Sequence, residues 1–459
     1  MEELPKQDSQ APIANRHLAL EGWSLDRALL RRMVVFLWPL ILTNVLQLVG
    51  GTINGVYVGQ LLGTSAYAVT SVVLSVMFFC ASFGIAVSAA ASIIAAKAWG
   101  AKDLALLRSV AQTSLTLAAG VGIAIAMAGA STTILYVDMF QIPDMTEPAV
   151  VIYMSVLFLS LPLQFVAMTA AALLRSTGAL AAPMKSTLIA LAVTLVCSPV
   201  AILALDGRQL GIVGAALALL AAQLSSLAWT VRYILKSKHA LSNALGGGWS
   251  VDTRLFKPIV HMGLPVSLFF TASSLADLAM LSLVTTHGTV AAASWGAARQ
   301  VMFFVQLPAM SIAIAASTFT AQAIGSRELS QMRKIVAAAL LLNLTISGFL
   351  VCAVIIGGPV LVSAFVTDDQ VTSTSSTILQ ISALGNVAFG MASVLSSVMR
   401  AEGHIFVPTC ISLACLLLLM YPLAYILHAE FGLFGIWMAY PITHCSALLL
   451  QWLAFSSRP

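Results

Sequence analysis

Apolar residues in this chain come in long continuous runs separated by short polar stretches. Twelve runs stand out: 34–58, 65–97, 106–133, 149–173, 184–205, 210–236, 257–285, 290–321, 334–363, 374–399, 405–427 and 433–455. A helix needs about 20 apolar residues to cross about 30 Å of hydrocarbon, and each run is long enough. Transmembrane strands would be about ten residues long and would alternate in polarity. Helices also satisfy their own backbone polar groups inside lipid. The pattern therefore predicts an all-α polytopic membrane protein with twelve transmembrane helices. The runs 65–97 and 290–321 exceed the bilayer and are expected to tilt or to extend beyond it.

Composition agrees. Of 459 residues, 60% are hydrophobic and only 8% charged, against about 25% charged in soluble domains. That excludes a cytosolic enzyme, a secreted disulfide scaffold and a nucleic-acid binder as classes. Cys80, Cys197, Cys352, Cys410, Cys415 and Cys445 all fall in apolar runs without CxxC spacing. They read as small packing residues, with no metal site expected.

The net charge of +5 follows a membrane pattern. With the N-terminus placed in the cytoplasm, every Lys and Arg of the 22 except Arg208 and Arg299 falls on the inner side. Asp138, Asp144, Glu147, Asp206, Asp368, Asp369 and Glu430 fall outside. Residues 1–33 are polar and lack the short apolar core of a signal peptide. Within them, LDRALLRRM (25–33) reads as a basic flank that orients the first span, with an amphipathic lead-in helix as the alternative. The expected location is a plasma membrane, a bacterial inner membrane, with both termini cytoplasmic.

The chain also repeats itself at an offset of 225. GTSAYAVTSVVLSVMFF (63–79) aligns with GTVAAASWGAARQVMFF (288–304) without a gap, and AAASIIAAKAWGAKDLALLR (89–108) with IAASTFTAQAIGSRELSQMR (314–333). ALLRSTGALAAP (172–183) then meets SVMRAEGHIFVP (397–408) in the same register. One register that holds loop charges, glycines and prolines over more than a hundred residues implies duplication. Six spans per repeat give both halves the same orientation, so the expected architecture is two pseudo-twofold-related six-helix bundles. The domains are then a cytoplasmic N-terminal segment (1–33), an N-terminal bundle (34–236), a cytoplasmic linker (237–256) and a C-terminal bundle (257–459).

PLILTNVLQLVGGTINGVYVGQLLG (39–63), GLPVSLFF (263–270), AQAIGSRELSQMR (321–333) and the paired LLRSTG (173–178) and VMRAEG (398–403) resemble the MATE family, the multidrug and toxic-compound extrusion transporters. The resemblance spans essentially the whole chain. It implies a V-shaped pair of bundles around a central cavity that opens alternately to each side. It further implies export of bulky, often cationic organic compounds driven by inward H+ or Na+. Many members carry an acid in the first span, in the pattern D-x-x-x-x-G. Here Asn54 stands at that position, ahead of Gly59, and no Asp or Glu lies within any span of the first half. An amide releases no proton at accessible pH. Positions where some members carry acids in the tenth and seventh spans hold Asn386 and Thr271.

Asp277 is the one carboxylate within a span, and Arg299 the one cation. A charge at membrane depth costs a few kcal/mol and faces protein or water. The hairpin joining the seventh and eighth spans turns near His287, 10 residues after Asp277 and 12 before Arg299. At 1.5 Å per residue both lie roughly 15–18 Å from the turn and are expected to meet. Two readings stand: an ion pair that pins the two helices, or a switch in which Asp277 takes H+ or Na+ and Arg299 is freed or held. Asn44, Gln47 and Asn54 share one face of the first span to within roughly 60°. They are expected either to line the cavity or to bond between helices. Gln300, Met302, Phe303, Gln306 and Asn386 complete the candidate cavity. Met77, Phe78, Phe79 and Phe304 of the two VMFF strings are candidates for an adaptable wall. His261 and His444 read as packing residues. Pro39, Gly50-Gly51, Pro265 and Pro308 mark helices that can bend.

The expected function is a secondary-active exporter of organic, cationic compounds in exchange for H+ or Na+, acting as a monomer without a cofactor. Its partners are a small organic substrate and membrane lipid, not nucleic acid. The alternative is a flippase for a lipid-linked saccharide or headgroup. Its phosphates call for several intramembrane cations, where only Arg299 is found. An enzyme is not expected, because HExxH, GxSxG, a P-loop and clustered His/Asp ligands are all missing from the sequence.

Overall fold

The computed structural model describes residues 26–133, 147–207, 210–237, 240–242, 248–363 and 368–458. Twelve helices among them are long and apolar enough to cross a membrane. They are α1 (Arg27–Leu62), α2 (Thr64–Gly100), α3 (Leu104–Ser131), α4 (Glu147–Ser176), α5 (Ala181–Asp206) and α6 (Gly211–Lys236) in the first half. The second half has α7 (Phe256–Thr285), α8 (Thr289–Gly325), α9 (Gln331–Ser363), α10 (Asp369–Glu402), α11 (Phe406–Phe431) and α12 (Leu433–Ser456). No strand occurs among the described residues. A π-helical segment, Cys415–Met420, lies just ahead of Pro422 in α11. Proline removes one donor from the ladder, and a wider turn there absorbs the mismatch.

α1 starts seven residues before the apolar run. Asp26 caps it by accepting from the backbone N–H groups of Ala28 (2.9 Å) and Leu29 (3.4 Å). Leu29 and Met33 are buried while Arg31 and Arg32 are exposed. The lead-in is thus an amphipathic helix whose basic residues lie on its exposed face. The basic residues Lys6, Arg16, Arg208 and Lys238, the acids Asp138 and Asp144, and the side chain of Glu147 lie outside the described residues.

The duplication is visible in packing. In the first bundle α2 packs on α3 and α4, α4 on α3 and α6, and α5 on α1 and α6. Adding six to each label gives the contacts of the second bundle: α8 on α9 and α10, α10 on α9 and α12, α11 on α7 and α12. Between bundles, α1 packs on α8, α7 on α2, and α2 on α8. The same operation exchanges the first two of these contacts and maps the third onto itself. A pseudo-twofold axis therefore runs between α2 and α8.

The backbone repeats too. Lys102 and Arg327, both non-glycine, adopt left-handed φ of 57° and 61°. Gly178 and Gly403 take φ of 87° and 109°. Each follows a helix, and the next N–H reaches five residues back: Asp103 to Ala98 (3.0 Å), Glu328 to Ala323 (2.9 Å), Ala179 to Leu174 (2.9 Å), His404 to Met399 (3.0 Å). These are Schellman caps, which need a left-handed residue at that position. All four keep the offset of 225, whereas Pro39 and Pro265, inside α1 and α7, differ by 226. One residue of slip thus separates the first helix of each bundle from the rest.

The bundles meet at the end that carries the α2–α3 and α8–α9 turns, here called the base. Gly100 lies against the Gln322 carbonyl and Gly325 against the Lys97 carbonyl, a reciprocal crossing with no room for a Cβ. The Gln322 amide donates to the Ser176 carbonyl of the other bundle (2.8 Å). Met33, Phe36 and Leu40 of α1 share one apolar core with Ile312 of α8, Ile335 of α9 and Val394 of α10. Glu402 pairs with Arg458, within electrostatic reach of Lys97 from the first bundle. Burial pulls the Arg458 guanidinium below its usual range, and Glu402 opposes this.

At the opposite end, the mouth, the cores separate. One cluster around Trp295 and Trp437 belongs to the second bundle alone, and one around Val58 and Ile202 to the first. The axial helices record the parting. Below Pro308, α8 is buried on nearly all sides, but above it Gly296, Arg299, Phe303 and Phe304 are exposed. α2 is likewise buried from Gly84 down, apart from partly covered positions, and exposes Ser71, Leu74, Ser75 and Phe78 above. A cleft therefore opens between α1–α2 and α7–α8 toward the mouth.

A short strap joins the halves. Residues 248–252 run along α3, where Gly248 accepts from Arg108 (2.8 Å) and Gln112 (3.2 Å). Ser250 N–H donates to Gln112 (3.2 Å), Trp249 Nε1 to Thr116 (3.1 Å) and Asp252 N–H to Thr113 (3.0 Å).

Candidate functional site

The intramembrane charges meet. Arg299 Nη2 donates to Asp277 Oδ2, joining α8 to α7. The Asp277 side chain keeps 27% of its surface and that of Arg299 keeps 47%, so the pair is not sealed in the core. Behind it lies an aromatic layer. Trp295, one turn before Arg299, stacks on Trp437 of α12 (centroids 5.0 Å) and touches Tyr440 (5.2 Å). The Tyr440 hydroxyl is buried, has no hydrogen-bond partner and feels the charges of both Asp277 and Arg299. A buried polar atom left unpaired costs free energy, so a group of this kind beside a charge pair points to use.

Below the pair runs a second polar layer. Gln306 of α8 donates to Asn386 Oδ1 (3.2 Å), and the Asn386 amide donates to Met302 Sδ (3.4 Å). Asn343 of α9 donates to the Val387 carbonyl (3.1 Å) and accepts from Ser347 (3.1 Å). The Ser382 hydroxyl, one turn before Asn386, is buried without a partner. His444 packs against Phe389 (5.3 Å) and Tyr440 (6.4 Å), as a packing histidine should. The fold thus brings Met302, Gln306 and Asn386 together as one network on the second bundle. Gln300 is half-buried, and Phe303 and Phe304 are exposed above Pro308.

The polar residues of α1 do not converge. Asn44 crosses to α8 and donates to Ser311 (2.9 Å). Asn54 is buried and accepts from Ser198 of α5 (2.6 Å). Gln47 is exposed. Thr271 and Met77 are half-buried, and Phe78 reaches across the bundles to Phe270 (6.5 Å). Tyr440, Ser382 and Asn343 escaped the sequence reading because each is a single polar residue in an apolar run. The one available signal was Tyr440 and His444 spaced four apart on one helix face. Among the described residues no group of three His, Cys, Asp or Glu side chains gathers to hold a metal.

The MatE family profile matches the chain twice, over residues 39–200 and 265–426. The chain belongs to the MATE family. Each matched stretch lies within one bundle and covers its first five helices, most of the fifth included, so the family repeat follows the structural one. The chain is 30% identical over 425 residues to the probable multidrug resistance protein YoeA of Bacillus subtilis, covering 92% of each. It is 23% identical to an FAD transporter of Shewanella oneidensis, covering 88% of this chain and 89% of that protein. Among solved structures, an outward-facing multidrug resistance MATE transporter of the MOP superfamily superposes with a TM-score of 0.85 at 20% identity, covering 94% of this chain and 98% of that one. The MATE fold is thereby established for this chain, and with it a multi-pass membrane protein.

Proposed function

We propose that this MATE protein is a secondary-active antiporter that exports organic cations in exchange for H+ or Na+. The observation that carries the proposal is the Asp277–Arg299 pair. It is only partly covered, between one helix that packs on the first bundle and one on the pseudo-twofold axis. When Asp277 is ionised, the two charges hold α7 to α8. When the carboxylate takes a proton or a Na+, the attraction weakens and Arg299 becomes a free cation facing the cleft. A free cation at that place repels a cationic substrate, so ion binding and substrate release are linked by sign alone.

The cleft supplies the rest. Phe78, Phe303 and Phe304 offer apolar faces that suit bulky organic rings, and Gln300, Gln306 and Asn386 offer polar anchors. The mouth is open and the base closed, as in an outward-facing state. The basic loops at the base support a cytoplasmic location for that end and for both termini, in a bacterial inner membrane. The working unit is one chain. A lipid-phosphate flippase is the weaker reading, since Arg299 is the single cation on the cleft face of α8.

Reconstitution into liposomes tests this directly. H+ and Na+ gradients are imposed separately while efflux of a fluorescent organic cation is followed. Efflux driven by one gradient in wild type and lost in Asp277→Asn is expected. Equal gradient-driven efflux in both proteins would remove Asp277 from the mechanism.

A further inference from the structure

Away from the cleft, two histidines from distant parts of the chain come face to face at the mouth end of the second bundle. His287 lies in the α7–α8 turn, where its N–H bonds the Val284 carbonyl (3.0 Å) and Gly288 follows with φ 94°. His428 lies in the last turn of α11, its carbonyl accepting from Gly432 (2.9 Å). The backbone there is fixed from behind, because Gly435 of α12 presses on Leu427 and His428 with no room for a Cβ. The imidazole centroids are 4.7 Å apart and the ring planes are inclined by 50°. His428 Nδ1 is buried and has no hydrogen-bond partner, while His287 is exposed.

A stacked pair would have near-parallel planes. Inclined rings let two nitrogen lone pairs converge on one point. With metal–nitrogen bonds of about 2.0–2.1 Å and bond angles of about 90–110°, two imidazoles on one ion have centroids about 4.6–5.3 Å apart. The observed separation falls in that range. An unpaired, sheltered nitrogen is the donor such an ion would use, and the exposed partner gives the ion a path from water. We propose that His287 and His428 form a two-imidazole site for a borderline transition-metal cation, Cu2+ ahead of Ni2+ and Zn2+, with water completing its coordination. Mg2+ and Ca2+, which prefer oxygen donors, are not held there.

Occupation ties the end of α11 to the α7–α8 turn. The two arms of that hairpin carry Asp277 and Arg299, so a metal at the turn restrains the element that bears the ion pair. The site itself does not depend on the transport reading.

The test uses the purified full-length protein titrated with Cu2+ and followed by electron paramagnetic resonance. Wild type is expected to show coupling to two imidazole nitrogens. His287→Ala and His428→Ala are each expected to bind at least tenfold more weakly and to lose one of the nitrogens, while His261→Ala, at the base, keeps both. Zn2+ is expected to raise the thermal midpoint of wild type but not of His287→Gln, a change on an exposed turn that leaves the core intact. An unchanged affinity and two-nitrogen spectrum in His287→Ala, or equal Zn2+ stabilisation of His287→Gln and wild type, would overturn the assignment.

Discussion

The two bundles share helix order, contacts and caps, yet their interiors differ in kind. At the offset of 225, Asn386 on α10 corresponds to Leu161 on α4, Asn343 on α9 to Ala118 on α3, and Arg299 and Gln306 on α8 to Leu74 and Ala81 on α2. The first bundle fills its core with Phe158, Leu161 and Phe165, all almost fully buried. The second keeps an ion pair, two layered amides and unpaired hydroxyls at the matching depth. The comparison teaches that packing sets the fold and is satisfied by either filling. The first half buries polar groups too, such as Asn54 and Ser198, but the intramembrane ion pair is in the second, and a charge inside a membrane is retained where it does something. Asn54 agrees with this division. Its amide oxygen accepts from Ser198 and closes the first bundle on itself.

The sharpest way to break the comparison is to remove the charge from the second bundle. Asp277→Asn is expected to lower gradient-driven efflux at least tenfold while the twelve-helix fold persists, as read by circular dichroism and size-exclusion profile. Next in size is Gly325→Leu. Its side chain would be driven into the Lys97 carbonyl across the axis, and overpacking costs about 1–3 kcal/mol. Efflux should fall several-fold, and a cysteine placed at Lys97 should become more reactive to a water-soluble maleimide as the base is wedged apart. Unchanged labelling would show that the base does not depend on this crossing.

Asn386→Leu imports the first bundle's filling into the second. It strands the Gln306 amide, for a cost of about 1–3 kcal/mol, and should lower both thermal stability and efflux a few-fold. A neutral outcome would mean that the polar layer is replaceable packing. The smallest effect is expected from Asn54→Ala. Loss of one interhelical hydrogen bond is worth about 0.6 kcal/mol on average in a membrane. The ion dependence of efflux should stay as in wild type, and a changed dependence would bring the first bundle back into the coupling.

The fold was legible because its causes are local and long. Twelve apolar runs became twelve helices whose ends lie within about five residues of the runs, the start of α1 apart. The repeat was legible for the same reason: Lys102 and Arg327, or Gly178 and Gly403, mark turns whose backbone demands recur. The Asp277–Arg299 contact followed from hairpin geometry, which a sequence fixes through helical rise alone. The polar layers did not. Gln306, Asn386, Met302, Asn343 and Ser347 come from three helices, and their meeting depends on helix rotation about the axis, which an almost uniformly apolar sequence leaves unmarked. α1 shows the same limit from the other side. Its three polar residues share a face, yet Asn44 and Asn54 find different neighbours and Gln47 stays exposed, because α1 crosses from α5 at one level to α8 at another.

The strap of residues 248–252 has a mechanical consequence. By fastening the start of α7 to α3, it makes the seventh helix a member of both bodies: its foot belongs to the first half and its head, with Asp277, to the second. Pro265 stands between foot and head, where the missing donor leaves the helix compliant. The seam between the halves therefore passes through a helix and not through a loose connector. Any relative rotation of the two bodies is delivered, like torque along a crankshaft, to the carboxylate at its upper end.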